Sequence, residues 1–182
     1  SLASIEALMR EENWAEARPA LEKFTEAQPD EARGWFFLGY VLHMSGDLEA
    51  ALPIHKKAAE FKLVRHVALY NVACVHSRQG NLDGAFEYLE KAREAGFDDL
   101  AGLKVDGDLE AARKDARYAD VLRAFGVPED ELPKYEIDLA ALPAERRFDF
   151  LAGEWQAITR SGPYGACSLS LIHISEPTRP LH

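Results

Sequence analysis

Cysteine and methionine are scarce in this sequence, with two of each among 182 residues. Cys74 and Cys167 cannot form a disulfide framework or a four-cysteine metal site. No stretch approaches the roughly 18 consecutive apolar residues of a membrane span, so we do not expect an integral membrane protein. These absences exclude disulfide scaffolds and cysteine-based zinc modules, and no feature of the sequence assigns a cellular compartment.

Basic residues are also few, with 21 Lys and Arg against 31 Asp and Glu, a formal net charge of −10. A nucleic-acid partner requires a basic face that displaces counterions, so we expect no such partner. Acidic residues and three prolines concentrate between Gly126 and Glu145. Prolines break regular structure and like charges repel, so 126–147 is predicted to be an acidic linker with one short turn near Asp138–Leu142.

A 34-residue spacing runs through the first two thirds of the chain. Trp35 and Leu69 are separated by it, and so are Gly46 and Gly80. Three positions of the second half of the unit keep the same phase: Asn13/Asp47/Asn81, Ala17/Ala51/Ala85 and Leu21/His55/Leu89. Such self-similarity is typical of stacked repeats, each of which is one supersecondary unit.

Each unit has the pattern of two helices. Trp35, Leu38, Gly39 and Leu42 fall at i, i+3, i+4 and i+7, which is one face of a helix. Gly46 suits the left-handed end of that helix, and the Asp47 that follows can cap the next one. The sequence therefore predicts helical hairpins.

The pattern resembles the tetratricopeptide repeat, whose signature is W-x2-L-G-x2-Y followed by A-x3-F. Trp35 to Gly39 match it strongly, whereas Leu42 and His76 stand at the usual tyrosine position and His55 at the usual phenylalanine. The resemblance implies an all-α fold, an α-α superhelix of three helical hairpins with repeats at about 1–31, 32–65 and 66–99.

A capping helix is predicted over 108–125, because a terminal repeat needs a lid with a polar outer face. Asp106 or Asp108 could cap its start. The segment Asp106–Leu109, with Arg117 and Tyr118, also resembles the closing segment of bacterial tetratricopeptide arrays. We interpret the two aspartates as caps rather than catalytic carboxylates.

A truncated β segment is predicted over 148–168, after the linker. Gly153 and Trp155 form a G-x-W that resembles the first strand of lipocalin-like, calycin-type barrels; an ordinary hairpin or strand is the alternative. Leu169 to Arg179 resemble a translated sequencing-library adapter, so we interpret 169–182 as an artefact.

The resemblance implies a concave groove lined by the first helix of each repeat, suited to an extended peptide or a partner helix. Aromatic, methionine and polar side chains are predicted to line it. These are Arg33, Phe36, Phe37, Tyr40, His43, Met44, Tyr70, Asn71, Cys74, Ser77 and Arg78.

Chaperone-binding members of the family hold an acidic peptide tail with a clamp of lysines, asparagines and arginine. The corresponding positions here are Leu2, Glu6, Phe37, Val67 and Asn71, and none fits its role. We therefore expect no binding to a dicarboxylate chaperone tail.

No nucleotide-binding, serine-hydrolase or zinc-protease motif occurs, so we predict that the chain is not an enzyme and needs no cofactor. His43, His76 and Cys74 are possible metal ligands, but no further residue has a convincing spacing, so we predict no metal site.

Two hypotheses follow. In the first, the array is a protein–protein interaction scaffold. In the second, it is an accessory arm of a parent protein whose truncated C-terminal barrel binds a small ligand or carries an enzymatic activity. Six or more alternating strands encoded beyond Ser168 would favour the second.

Overall fold

The structure is a computed structural model that describes residues 1–133 and two strands, 155–160 and 168–173. Residues 1–127 form one compact unit and 128–182 a second. Three successive helical hairpins make up most of the first unit. Their helices are α1 (Leu2–Arg10), α2 (Trp14–Ala27), α3 (Ala32–Met44), α4 (Leu48–Ala58), α5 (Arg65–Arg78) and α6 (Leu82–Glu94). The predicted fold class is confirmed.

The second helix of each hairpin starts at a side chain that repeats every 34 residues. Asn13, Asp47 and Asn81 accept hydrogen bonds from backbone N–H groups three residues on, at 3.4, 3.2 and 3.1 Å. Each bond satisfies a donor that the first turn of a helix leaves free. Gly46 and Gly80 end the preceding helices with φ of +81° and +74°, a conformation that favours glycine.

Small residues lie where the helices of a hairpin meet. Ala17, Ala51 and Ala85, one from each hairpin, are fully buried. Larger apolar side chains such as Leu21, Val41 and Leu89 fill the spaces between them and are also fully buried. Since a hairpin alone could not cover these surfaces, the stacking of neighbours supplies the core.

The cap differs from the prediction. Instead of one helix over 108–125, it comprises α7 (Leu100–Val105), a 3-10 turn (Gly107–Leu109), α8 (Glu110–Arg113) and α9 (Tyr118–Ala124). Asp106 caps the 3-10 turn through the N–H of Asp108, at 3.0 Å. Asp115 interrupts the helix because its carboxylate accepts from the backbone N–H and the guanidinium of Arg117.

The second unit contains a 3-10 turn, Glu129–Glu131, and two strands, β1 (Trp155–Arg160) and β2 (Ser168–His173). The strands pair antiparallel, with Trp155 opposite His173. β1 begins at the tryptophan of the predicted G-x-W. β2 includes residues that we interpreted as adapter-derived; backbone pairing does not depend on their origin, and the interpretation stays a prediction. The rest of the predicted linker and β segment, including Asp138–Leu142, lies outside the described residues.

Candidate functional site

The capping segment covers part of the predicted groove. Tyr70, Cys74 and Ser77 on α5 are 8%, 2% and 0% exposed. The Tyr70 hydroxyl donates to Asp106 Oδ2 at 2.7 Å, and Ser77 Oγ accepts from the backbone N–H of Ala112 at 3.4 Å. The expectation that Tyr70 and Ser77 face an open groove is therefore corrected, since residues 106–112 pack onto that face of α5. Cys74, although buried, still borders the pocket that remains.

An open pocket of about 340 Å³ remains between α3, α5 and the cap. Tyr40 and Met44 are 37% and 50% exposed, and they stand on its α3 side. Asn71 and Arg78 of α5 contribute polar groups. The complete lining is Tyr40, His43, Met44, Asn71, Cys74, Arg78, Asp106, Gly107 and Asp108.

The pocket thus brings six of the predicted groove residues together with three that sequence reasoning missed. The sequence predicts Asp106 and Asp108 as helix caps, and Gly107 lies between them in the segment that resembles a closing element. Asp106 does cap the 3-10 turn, but its second carboxylate oxygen faces Tyr70 and Cys74. The resemblance of this segment to a closing element was the signal that it lies against the last repeat.

His43 forms the inner wall of the pocket. It is 5% exposed, and its Nε2 lies 3.1 Å from Asp108 Oδ2. Arg78 Nη1 lies 3.5 Å from the other oxygen of that carboxylate. The approach of His43, followed by the charge of Arg78, lowers the pKa of Asp108 despite its partial burial.

The Cys74 thiol lies behind this wall, 3.9 Å from Asp106 Oδ2. Burial raises its pKa, and the neighbouring carboxylates of Asp106 and Asp108 raise it further because they oppose a thiolate. Burial likewise raises the pKa of Tyr70, whose ring stacks on Phe97 at a centroid distance of 4.2 Å. Neither group ionises near neutral pH in this environment.

His55 lies beneath His43, with ring centroids 5.6 Å apart in an edge-on arrangement. It is fully buried, and neither ring nitrogen has a hydrogen-bond partner among the described residues. Burial, aided by the charge that His43 would carry, lowers the pKa of His55 to about 3. Gly39 leaves room for this ring, because a Cβ there would lie 2.6 Å from His55 Nδ1.

Of the remaining predicted groove residues, Arg33 and Phe37 lie toward α1, whereas Phe36 lies toward α4 and α5. Arg33 is exposed, pairs with Glu6 and lies over the Phe37 ring, 5.6 Å from its centroid. Phe37 is half-buried against the apolar cluster of the first two hairpins, whereas Phe36 packs against the cluster around Ala58 and Val64. Tyr40 meets Trp14 edge-on at 6.1 Å. These contacts form an aromatic surface that leads into the pocket.

The sequence made His43, His76 and Cys74 possible metal ligands. Of these three, His76 does not line the pocket. It is 8% exposed, its Nδ1 lies 3.2 Å from the Asn81 amide, and its ring contacts Tyr88 of α6. Burial, together with the charge of Lys56, lowers its pKa. His76 therefore belongs to the packing between α5 and α6.

None of the helices in the described part of the chain combines the length and the apolar character that crossing a bilayer requires.

Comparison with known proteins gives two family matches. Two models described as "Tetratricopeptide repeat" match residues 2–62 and 66–94. A curated relative, a chloroplastic protein of Arabidopsis thaliana, is 36% identical over 59 residues. That alignment covers 32% of this chain and 18% of the relative, so the chain matches less than a fifth of that protein.

Proposed function

Because residues 2–62 and 66–94 of this chain are tetratricopeptide repeats, we propose that the pocket between α3, α5 and the cap docks an extended segment of a partner protein. Arrays of this kind are protein-interaction scaffolds and are in general not enzymes. The observation that carries the proposal is the open pocket of about 340 Å³ with exposed Tyr40 and Met44 on its rim.

The rim suits an apolar anchor. Tyr40 and Met44 expose large side chains next to the half-buried Trp14 and Phe37, and aromatic and methionine side chains provide adaptable contact area. A partner leucine, methionine or aromatic residue at this rim would cover the exposed Tyr40 and Met44 side chains.

The polar side chains of α5 in the pocket can orient the partner segment. The Asn71 amide can donate to and accept from the backbone of an extended peptide. The Arg78 guanidinium can donate hydrogen bonds to a carbonyl or carboxylate of the partner. Since the cap occupies the face of α5 around Tyr70 and Ser77, the partner is proposed to run over α1 and α3 and to end at Asn71.

A peptide library displayed on phage and selected on the purified chain tests the proposal. The Kd of the selected peptides is then measured by fluorescence polarisation with Tyr40→Ala, Met44→Ala and Asn71→Ala. Each change is expected to weaken binding about tenfold or more, since a central anchor contributes about 1–2 kcal/mol.

Glu49→Ala is the matched control, because Glu49 is exposed on α4 and does not line the pocket. Its Kd should stay within about twofold of the parent chain. Wild-type affinity in the combined variant of Tyr40, Met44 and Asn71 would place the binding surface elsewhere.

The accessory-arm alternative receives no support, since both family matches lie within the repeats. That the chain is not an enzyme, and that it binds neither nucleic acid nor membrane, remain predictions of this proposal.

A further inference from the structure

Three metal-ligating side chains, one thiol and two carboxylates, converge in the wall of the pocket. One ligand atom each from Cys74, Asp106 and Asp108 lie within 4.8 Å of one another. Cys74 Sγ is 3.9 Å from Asp106 Oδ2. Ligand atoms on a four-coordinate zinc lie about 3.3–3.8 Å apart, given bonds of about 2.0–2.3 Å. A small contraction of this triad would therefore bring all three atoms into bonding distance of one ion.

His43 places an imidazole beside this cluster, against Asp108. Its Nε2 approaches Asp108 Oδ2 to 3.1 Å, yet the pair lacks hydrogen-bond geometry, and the atom has no such partner among the residues described. The side chain is 6% exposed. Two ligands of one metal ion lie side by side. In a hydrogen bond, by contrast, the donor N–H points at the acceptor atom.

Two hydrogen bonds hold the Asp106 carboxylate in place. The Tyr70 hydroxyl donates to Asp106 Oδ2 at 2.7 Å, and Asp106 Oδ1 accepts from the backbone N–H of Asp108 at 3.0 Å. Such outer partners commonly orient metal ligands and are needed for tight binding. Asp106 is thus fixed in orientation with Oδ2 toward Cys74.

The negative charge of the two carboxylates also favours a bound cation. Two carboxylates flank a buried thiol, and the exposed Arg78 lies 3.5 Å from Asp108 Oδ1. Arg113 donates to the backbone carbonyl of Asp106. A divalent ion would offset the carboxylates and favour the thiolate that their charges otherwise oppose.

We infer that Cys74, Asp106, Asp108 and His43 form a binding site for a zinc-type divalent ion that ties α3 and α5 to the cap. A donor set of one thiolate, one imidazole and two carboxylates suits zinc, and cobalt(II) can report on it. Binding deprotonates the Cys74 thiol and releases that proton to solvent. The site does not depend on the proposed docking function.

Zinc titration into the reduced, chelator-stripped full chain tests the inference by calorimetry. One equivalent is expected to bind with micromolar or tighter Kd, with release of a proton and a rise of a few degrees in Tm under saturating zinc. Cobalt(II) should give a thiolate-to-metal charge-transfer band. No peptide is present, so failure here leaves the docking proposal intact.

Cys74→Ala is the decisive variant, because it keeps a small apolar side chain at a buried position and leaves Cys167 and every histidine in place. It should remove the charge-transfer band and weaken zinc binding at least tenfold. Asp108→Asn should weaken it similarly, with helix content by circular dichroism unchanged.

Asp98→Asn is the matched control, since Asp98 is an exposed aspartate outside the cluster. It should bind zinc like the parent chain. Zinc binding weaker than about 100 μM in the parent chain, or equal affinity in the parent and Cys74→Ala, would overturn the inference.

Discussion

At the scale of single residues, the least usual feature is a histidine buried without hydrogen bonds. His55 takes the position at which the repeat signature has phenylalanine, and it packs against Gly39. Its two ring nitrogens lack partners in the described part of the chain. A buried polar atom without a partner costs about 1–3 kcal/mol, so the side chain fills space at a stability cost.

His55→Leu is therefore expected to raise the free energy of unfolding by about 1–3 kcal/mol at pH 7.5. Leucine is close to imidazole in volume and removes both orphan nitrogens. Urea denaturation followed by circular dichroism measures the change. His66→Leu, at a half-buried site near the start of α5, should change stability by less than about 0.5 kcal/mol. A less stable His55→Leu would mean that an imidazole contact is needed.

The burial of His55 also predicts that the stability of the fold decreases in acid. Burial lowers the pKa of His55 to about 3. Below pH 6.5 the His55 imidazole is therefore protonated in the unfolded chain and stays neutral in the folded chain. Stability is therefore complete above pH 6.5 and falls as pH falls. Between pH 7.5 and 5 the parent chain should lose about 2 kcal/mol more than His55→Leu.

Urea denaturation in chelator at several pH values measures this loss. His76, whose pKa is also lowered, is present in both proteins, so the variant retains a shallower slope. Parallel pH profiles for the two proteins would contradict the assignment to His55.

At the scale of the elements, the second and third hairpins each turn at a glycine followed by a capping side chain, whereas Glu12 takes the glycine's place in the first. Gly46 adopts a φ of +81°, and the carboxylate of Asp47 accepts from the N–H of Ala50 and from Arg18 of the preceding hairpin. The turn thus sets the direction of α4 and also joins two repeats.

Gly46→Ala is expected to reduce the free energy of unfolding by about 1–2 kcal/mol, because a Cβ disfavours the left-handed backbone. Thermal and urea denaturation measure the loss. Gly107→Ala is the control: its φ is not positive, and a Cβ there would meet no atom of the described residues within 4 Å. Equal effects of the two substitutions would show that backbone conformation is not the cause.

At the scale of the whole molecule, the cap completes the core of the first unit. Leu103, Leu109 and Tyr118 are fully buried, and the Tyr118 hydroxyl donates to the carbonyl of Leu103 at 2.7 Å. The cap lies against α5 and α6, whose apolar faces have no further hairpin to cover them among the described residues. The array therefore ends at the cap.

Fragments test this dependence. A fragment of residues 1–127 should unfold like the corresponding helical transition of the full chain, because it contains the complete first unit. A fragment of residues 1–99 should lose on the order of 5 kcal/mol, since each large buried side chain contributes about 1.5–3 kcal/mol. Circular dichroism with urea measures both, and a fully stable 1–99 fragment would exclude a structural role for the cap.

The sequence by itself determined the three hairpins, their three capping residues and the glycines at the turns of the second and third. These features depend on side chains within four residues of one another, and they recur at the 34-residue period. It also placed Tyr40, His43, Met44, Asn71, Cys74 and Arg78 on inner helices, since helical periodicity fixes which face a residue occupies.

Only the tertiary structure decided which of those faces stay open. Asp106 meets Tyr70 and Cys74 across 36 and 32 positions of the chain. The 3-10 turn and α8 pack on α5 before the break at Asp115, and α9 packs on α6 after it, a path that no local pattern encodes. Burial of Ser77 and Tyr70, and the gathering of Cys74 with two carboxylates and His43, follow from how that segment packs, because contacts between distant segments depend on packing rather than on spacing.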